Sequence, residues 1–357
     1  MDRFILVINP GSTSTKIAVY NNRKNFFLIT VRHDKGELSK FSRIYDQYEY
    51  RKKAIKETLE KADIDLKKMD VIVGRGGLFK PIDGGVYKVN DAMLRDVQNP
   101  LGEHESNLGG VIAYELAKET GRNTQAIIVD PTCVDEMDDI ARISGMPELP
   151  RKSLMHTLNQ RAVARKFAKE LNKNYDEINV IVAHLGRGIS IGAHCKGRII
   201  DVNNGLNGDG PFSPERSGGL PVGQLVDLCF SGKYTRDEIM RKIQGNGGLF
   251  AYLGTYDAIE IEERIDNGDD NARLVYSAMC YQVAKEIGSL GTVFYGEVDG
   301  ILLTGGLAYS KMIVDCITER VSHIAPVKTY PGEGEMESLA LNGFLVLTNE
   351  IEVKEYV

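Results

Sequence analysis

The run Ile5-Leu-Val-Ile-Asn9-Pro-Gly11-Ser12-Thr-Ser14-Thr-Lys16-Ile-Ala-Val-Tyr20 joins two apolar, β-type stretches through a turn of hydroxyl residues around one Gly, with a Lys at its far edge. Backbone N–H groups, hydroxyls and an ammonium gathered in such a turn can hold a phosphate. A second run has the same layout: Val180-Ile-Val-Ala-His184-Leu-Gly186-Arg-Gly188-Ile-Ser190-Ile-Gly192-Ala-His194. Setting Gly11 over Gly186 puts Asn9 over His184 and Ser14 over Ile189, so each copy carries a polar side chain at the mouth of its turn. The self-match points to a duplicated fold, and two similar lobes with one such hairpin each would bind a nucleotide between them. Two other phosphate motifs fail. A Walker loop needs a Gly before its Lys and a Ser or Thr after it, whereas Thr15 and Ile17 flank Lys16. The dinucleotide fingerprint opens a helix, whereas Gly186, Gly188 and Gly192 have the wrong spacing and a strand-like continuation.

Other residues could carry chemistry from strand ends and loops. Arg75 emerges among glycines from the apolar run Val71-Ile-Val-Gly-Arg75-Gly-Gly, where open α/β sheets place ligands; a turn Arg paired with a surface carboxylate is the alternative. Asp130 ends the run Ala126-Ile-Ile-Val and either orients an Arg or a metal-bound water, or makes an Asx turn into Pro131. The loop 208–219 is long, rich in Gly and Pro, and carries Glu215 and Arg216; such loops are usually functional. His156 stands just before a helical stretch, after Met155, and His184 sits at the second hairpin's mouth. His33, His104, His194 and His323 read as structural or surface residues. Gly305 and Gly306 close an apolar strand, where bare backbone can admit a flat ring or pyrophosphate. Glu333, Glu335 and Glu337 precede or open a helix, where they can bind Mg²⁺ or serve as favourable N-terminal charges.

These groups need a scaffold of strands and helices. Strands are expected at 4–8, 16–20, 26–31, 71–73, 125–129, 180–184, 189–194, 198–202, 300–304 and 324–330. Helical periodicity appears at 51–62, 106–119, 157–171, 272–294 and 338–347. The alternation makes an α/β chain. At 357 residues two domains are the default. The Pro147–Pro150 stretch marks the boundary, giving a first lobe of 1–150 plus about 335–357 and a second of 151–334. The content is 42% apolar and 26% charged, typical of a globular protein. A net charge of −6 and the lack of basic clusters argue against nucleic-acid binding. Five scattered Cys without C-x-x-C spacing read as reduced thiols, and no spacing fits a zinc site. With neither a leader-like start nor a run of transmembrane length, cytoplasmic residence without membrane association is the expectation.

Taken in order, Asn9-Pro-Gly-Ser-Thr-Ser-Thr-Lys16, His184-Leu-Gly-Arg-Gly188, Arg216-Ser-Gly-Gly and Thr304-Gly-Gly306 resemble the acetate kinase family. Gly-Arg-Gly-Gly at 74–77 and the whole 208–219 loop are similar to its butyrate kinase branch. The resemblance implies two duplicated ribonuclease H-like lobes, the actin-like ATPase fold, with the nucleotide cleft between them. It implies reversible phosphoryl transfer from ATP, with Mg²⁺, to a short-chain carboxylate, giving ADP and an acyl phosphate. By the same resemblance Asn9, Ser12, Ser14 and Lys16 line the phosphate site from the first lobe, and His184, Gly186 and Gly188 from the second. Arg75 and Arg216 grip the carboxylate and the moving phosphoryl. His156 and His184 stabilise the transition state, Asp130 holds the arginines or a metal water, and Gly305 and Gly306 flank the adenosine. Glu335 matches the metal-associated position better than Glu337. Gly76 and Gly77, with Met155, would form the acyl pocket. Acetate kinases carry bulkier residues after this Arg, so Gly77→Val is expected to penalise butyrate more than acetate. A homo-oligomer, at least a dimer, is expected. A non-catalytic nucleotide switch would not need Arg75 and Arg216, and a sugar kinase would use Asp130 as a base.

Overall fold

Among the described residues, β-branched runs and tight turns give twelve strands: β1 (Phe4–Pro10), β2 (Ser14–Asn21), β3 (Lys24–Arg32), β4 (Val71–Arg75), β5 (Val86–Lys88), β6 (Gln125–Val129), β7 (Asn179–Leu185), β8 (Ile189–Cys195), β9 (Arg198–Val202), β10 (Gly300–Gly305), β11 (Val327–Pro331) and β12 (Val353–Lys354). A computed structural model describes residues 2–357. They form a seven-stranded sheet in the order β12-β5-β6-β4-β1-β2-β3 and a five-stranded sheet in the order β11-β10-β7-β8-β9. In the first, β1 is antiparallel to β2 and parallel to β4, which is parallel to β6. In the second, β7 is antiparallel to β8 and parallel to β10, which is parallel to β11. One five-strand pattern therefore occurs twice, and β5 and β12 are additions to the first copy.

The inner strands are buried on both faces, as their continuous apolar runs require. Ile5, Leu6, Val7 and Ile8 have no exposed surface, nor do Val180, Ile181, Val182 and Ala183. Burying each Ile, Leu or Val contributes about 1.5–3 kcal/mol relative to leaving it exposed.

The chain divides into a unit of Met1–Val134 with Gly334–Val357 and a unit of Asp135–Glu333. The boundary lies ahead of the Pro147–Pro150 stretch. Residues 135–150 are tied to the second unit: Asp138 N–H donates to the Ile200 carbonyl, and the Glu136 carboxylate accepts from Arg161 and from Ile199 N–H. The helix Thr157–Glu170 follows β6 in the chain but packs on β7 and β10, whereas Glu335–Leu347 follows β11 and packs on β1 and β4. The strand expected at 324–330 starts at Val327, because the unforeseen helix Lys311–Val321 and its following turn occupy the chain before it.

Candidate active site

The two hairpins share their strand pairing but differ in their turns. Pro10 faces Thr15 across the first, and Leu185 faces Ile189 across the second. The first turn thus holds one more residue. Thr15, not Ser14, is the partner of Ile189, and Lys16 corresponds to Ser190. Beyond the turn the sequence overlay is off by one, which in a strand exchanges the two faces.

At the first hairpin's mouth three predicted residues meet. Arg75 Nη1 donates to Glu335 Oε2 at 3.0 Å and Nη2 lies 2.8 Å from Oε1. This two-pronged contact is the geometry a guanidinium makes with any carboxylate. Asn9 Nδ2 donates to Glu335 Oε2 at 2.7 Å, and Asn9 Oδ1 accepts from Arg75 at 3.3 Å. The helix Glu335–Leu347 turns Glu335 inward, 6% exposed, while Glu333 and Glu337 face out. Arg75 is aimed by a close approach of backbones. Gly74 and Gly109 touch with no room for a Cβ on either, so the helix Asn107–Glu119 lies directly on β4. Asp130 sits at the end of β6 with φ 38°, and its carboxylate accepts from Gly85 N–H at 2.9 Å. Lys16 is exposed and pairs with Asn9 in the strand register; Ser12 is exposed in the turn, and Ser14 half-buried.

The first turn is held from beneath by Arg51, which lies in the stretch of helical periodicity at 51–62. It has no exposed surface. Its guanidinium donates to the carbonyls of Gly11 at 2.8 Å, Ser12 at 3.0 Å and Ser14 at 3.3 Å, and to Gln47 Oε1. Burial lowers the Arg51 pKa. Gly11 N–H closes the turn on the Ser14 carbonyl at 2.7 Å, so Arg51 ties the turn's carbonyls together from one side. His33 bonds to Thr15 Oγ1 at 2.8 Å, and its N–H donates to the Thr13 carbonyl. Burial, with the Arg51 charge beside it, pulls its pKa down to about 4.

At the second hairpin's mouth His156 and His184 stack, ring centres 3.8 Å apart and planes 10° from parallel. His184 Nδ1 lies 2.7 Å from Asn159 Oδ1, and His156 Nδ1 lies 2.9 Å from Ser190 Oγ. Met155 is buried just before them. The loop 208–219 is closed on itself by Ser213 N–H donating to the Arg216 carbonyl, and is tied to the following segment by Ser217 N–H donating to the Ile243 carbonyl and Leu249 N–H to the Ser213 carbonyl. Arg216 Nη1 donates to the Gly205 carbonyl, and the guanidinium lies so close over Gly188 that a Cβ there would overlap it. Burial lowers the Arg216 pKa, against the opposing charge of Glu215. Gly186 flanks His184 Nε2. Gly305 has φ 89° and lies on the Leu185 backbone, whereas nothing stands within 4 Å of a Cβ at Gly306.

Gly76 and Gly77 are held to glycine by packing, contrary to the expectation that they widen an acyl pocket. A Cβ on Gly77 would run into Asn107, side chain and backbone, and one on Gly76 would meet Pro131 at 2.5 Å. Glycine is required at these positions by packing, so a side chain added at Gly77 points at the protein and not into open space. Asn107 is itself fixed, accepting from Leu78 N–H at 2.7 Å and donating to the Gly102 carbonyl.

The residues do not fit a resident metal ion. Among the described residues no group of three or more His, Cys, Asp and Glu could hold one. Both Glu335 oxygens are taken up by Arg75 and Asn9. No described helix is long and apolar enough to cross a membrane. A cavity of about 820 Å³ in the first unit, lined by Lys88, Tyr114, Arg122, Asn349 and Glu352 among others, includes none of the predicted residues.

Residues 148–325 match the model of the acetokinase family. That segment is similar to the acetokinase family. It contains the stacked histidines, the second hairpin, Arg216 and the Gly305-Gly306 pair. Over nearly its whole length the chain has the fold of solved acetate and propionate kinase structures. The acetate kinase of Porphyromonas gingivalis superposes with a TM-score of 0.77 at 17% identity, covering 97% of this chain and 100% of that one. A propionate kinase from Francisella tularensis superposes with a TM-score of 0.76 at 19% identity, covering 95% and 98%. A ROK family protein from Streptococcus pneumoniae, solved with sucrose, reaches a TM-score of 0.52 at 12% identity, covering 97% and 99%. The α/β fold with two similarly ordered sheets, expected from the resemblance, is the fold of this chain.

Proposed function

We propose that the protein is a carboxylate kinase that transfers the γ-phosphoryl of MgATP to a short-chain acid, butyrate or isobutyrate, giving ADP and the acyl phosphate, reversibly. The observation that carries this reading is the Arg75 fork closed on a carboxylate at the mouth of a phosphate-type hairpin. Glu335 makes there the bidentate contact that a substrate carboxylate would make. A carboxylate oxygen attacks the γ-phosphorus as the bond to the β–γ bridging oxygen breaks. The electron pair leaves with ADP. The acid is already ionised at neutral pH, so no general base is needed and Asp130 has no proton to take. The remaining barrier is the approach of an anion to a polyanion, which positioned cations and N–H donors lower. Arg75 grips the acid, Arg216 the moving phosphoryl, and His156 and His184 stabilise its charge. Asn9, Ser12, Ser14 and Lys16 hold phosphate from the first hairpin, and Gly186 and Gly188 from the second. Gly305 and Gly306 lie against the adenosine. Mg²⁺ would come with the nucleotide, whose phosphates and waters would supply most of its ligands; Glu335, once a substrate acid takes its place on Arg75, or Glu337 would meet it through water.

The preference for a four-carbon acid rests on the 74–77 and 208–219 motifs. A second reading, acetate or propionate, is favoured by the likeness to structures named for those acids. Trapping the acyl phosphate with hydroxylamine, and comparing kcat/KM over acids of two to five carbons, separates these readings from each other. Absence of acid-dependent ATP turnover would overturn both in favour of a nucleotide switch. A reaction that consumes ATP suits the cytoplasm. The helix Val222–Phe230 buries none of its residues although it carries Val222, Leu225, Val226 and Phe230, which supports a homo-oligomer. Sedimentation of Phe230→Glu beside wild type tests that face.

A further inference from the structure

The two stacked rings are held at their Nδ1 atoms by partners of opposite kind. Asn159 Nδ2 donates to the Glu333 carbonyl at 2.5 Å. A carbonyl only accepts, so the other end of the amide, Oδ1, faces His184, and the 2.7 Å contact makes His184 Nδ1 a donor. The neutral His184 ring therefore has its lone pair on Nε2.

The His156 side is anchored by another carbonyl. Gln160 Nε2 donates to the Ser190 carbonyl at 3.1 Å and to Ser190 Oγ at 2.9 Å. Gln160 Oε1 then accepts from His194 Nε2 at 2.9 Å, and His194 Nδ1 accepts from the Tyr175 hydroxyl at 2.7 Å. Complete burial pushes the His194 pKa well down, with the charges of Arg161 and Arg165 adding to it, which agrees with a neutral ring. Ser190 Oγ already accepts from Gln160 and from His156 N–H at 3.3 Å, so its single hydrogen goes to His156 Nδ1. His156 Nδ1 is thus an acceptor, and the ring's proton lies on Nε2.

We propose that Asn159 on one side, and Ser190, Gln160, His194 and Tyr175 on the other, are positioning residues that fix opposite tautomers in the stacked pair, making His156 Nε2 an N–H donor and His184 Nε2 a proton acceptor. The catalytic consequence rests on the carboxylate-kinase reading: His156 can donate to a phosphoryl oxygen without first gaining a proton, while His184 takes up a proton without breaking its bond to Asn159. Ring tautomers can be fixed by the partner of the other nitrogen, as this arrangement requires.

The test is ¹⁵N NMR of the full chain labelled at histidine, above the pH range of imidazole protonation, with His156→Gln and His184→Gln used for assignment. The expected spectrum has His156 protonated at Nε2 and bare at Nδ1, and His184 the reverse. The same tautomer on both rings, or a rapid average on His156, would overturn the proposal. This readout needs no turnover, so it stands or falls independently of the proposed reaction. Ser190→Ala should turn His156 into a mixture of tautomers and leave His184 unchanged. It should lower kcat roughly ten- to a hundredfold, by analogy with outer-shell partners of metal-bound histidines, with KM for ATP unchanged and recovery in Ser190→Thr. A folded Ser190→Ala chain with the wild-type His156 signals and kcat would also overturn it. Should Ser190→Ala not fold, the wild-type spectrum alone decides.

Discussion

Arg75 already holds a carboxylate, so its value lies in the fork and not only in the charge. Arg75→Lys keeps the positive charge beside Glu335 but cannot span both oxygens. It should leave circular dichroism unchanged and lower turnover on the order of 10³-fold, within the range for arginine fingers; turnover within tenfold of wild type would sink the assigned role. Two glycines separate packing from ligand approach. Gly188→Ala places a methyl where the Arg216 guanidinium lies, and should lower turnover about as much as Arg216→Ala does in the same assay. Gly306→Ala meets nothing within 4 Å, so its Tm should match wild type, and any effect should fall on KM for ATP. His33 gives a pH dependence of stability. Its pKa is about 4 in the fold, against an ordinary value of 6.5, so between these values the unfolded chain binds the extra proton. The stabilisation is complete above pH 6.5 and is lost as pH falls towards 4, by about 3 kcal/mol in all. Urea titrations of wild type and His33→Gln across that window should converge at the acidic end; parallel curves would contradict the burial argument.

The hairpins were legible because apolar alternation around a Gly turn is a local signal; nine strands lie where such runs predicted them, and a tenth begins three residues late, at Val327. β5 and β12, of three and two residues, are too short to leave a pattern. Helices between β9 and β10 went unread in part because Val222–Phe230 has no buried face to set a period. The long-range pairs were hidden for a different reason. Arg75 and Glu335 are 260 positions apart, and nothing local tells a strand-end Arg which carboxylate it will meet. Arg51 was missed because a charged residue on a helix ordinarily reads as solvated. Yet removing this buried cation should matter at the level of the hairpin it supports. Arg51→Met leaves three turn carbonyls without their donor and should cost on the order of 3 kcal/mol, seen as a lower Tm with a raised KM for ATP. Unchanged values would mean that the turn holds its shape unaided. Gly77→Val, once expected to select between acids, should now damage the β4–helix contact through Asn107 and depress kcat/KM for butyrate and acetate alike. A changed ratio would restore the turn as a determinant of chain length.

At the scale of the molecule the duplication is plain in the sheets and absent from the chain order of the helices. Glu335–Leu347, which supplies the Arg75 partner, belongs to the first unit, but is separated from the rest of it by residues 135–333. Residues 135–333 are continuous and should fold when expressed alone. Residues 1–134 should not, because β1 and β4 then lose the helix that covers them, and the β5 edge loses β12; a cooperative thermal transition in that fragment would refute this. The interruption has a consequence for synthesis. At the usual 5–20 residues per second, the ribosome needs roughly 10 to 40 s to pass from the first part of this unit to the second. Through that interval the nascent chain exposes a half-covered apolar sheet with an unmatched Arg75. The second unit can finish folding while the first waits, and chaperone demand should fall on the amino-terminal half of the nascent chain, although it was made first.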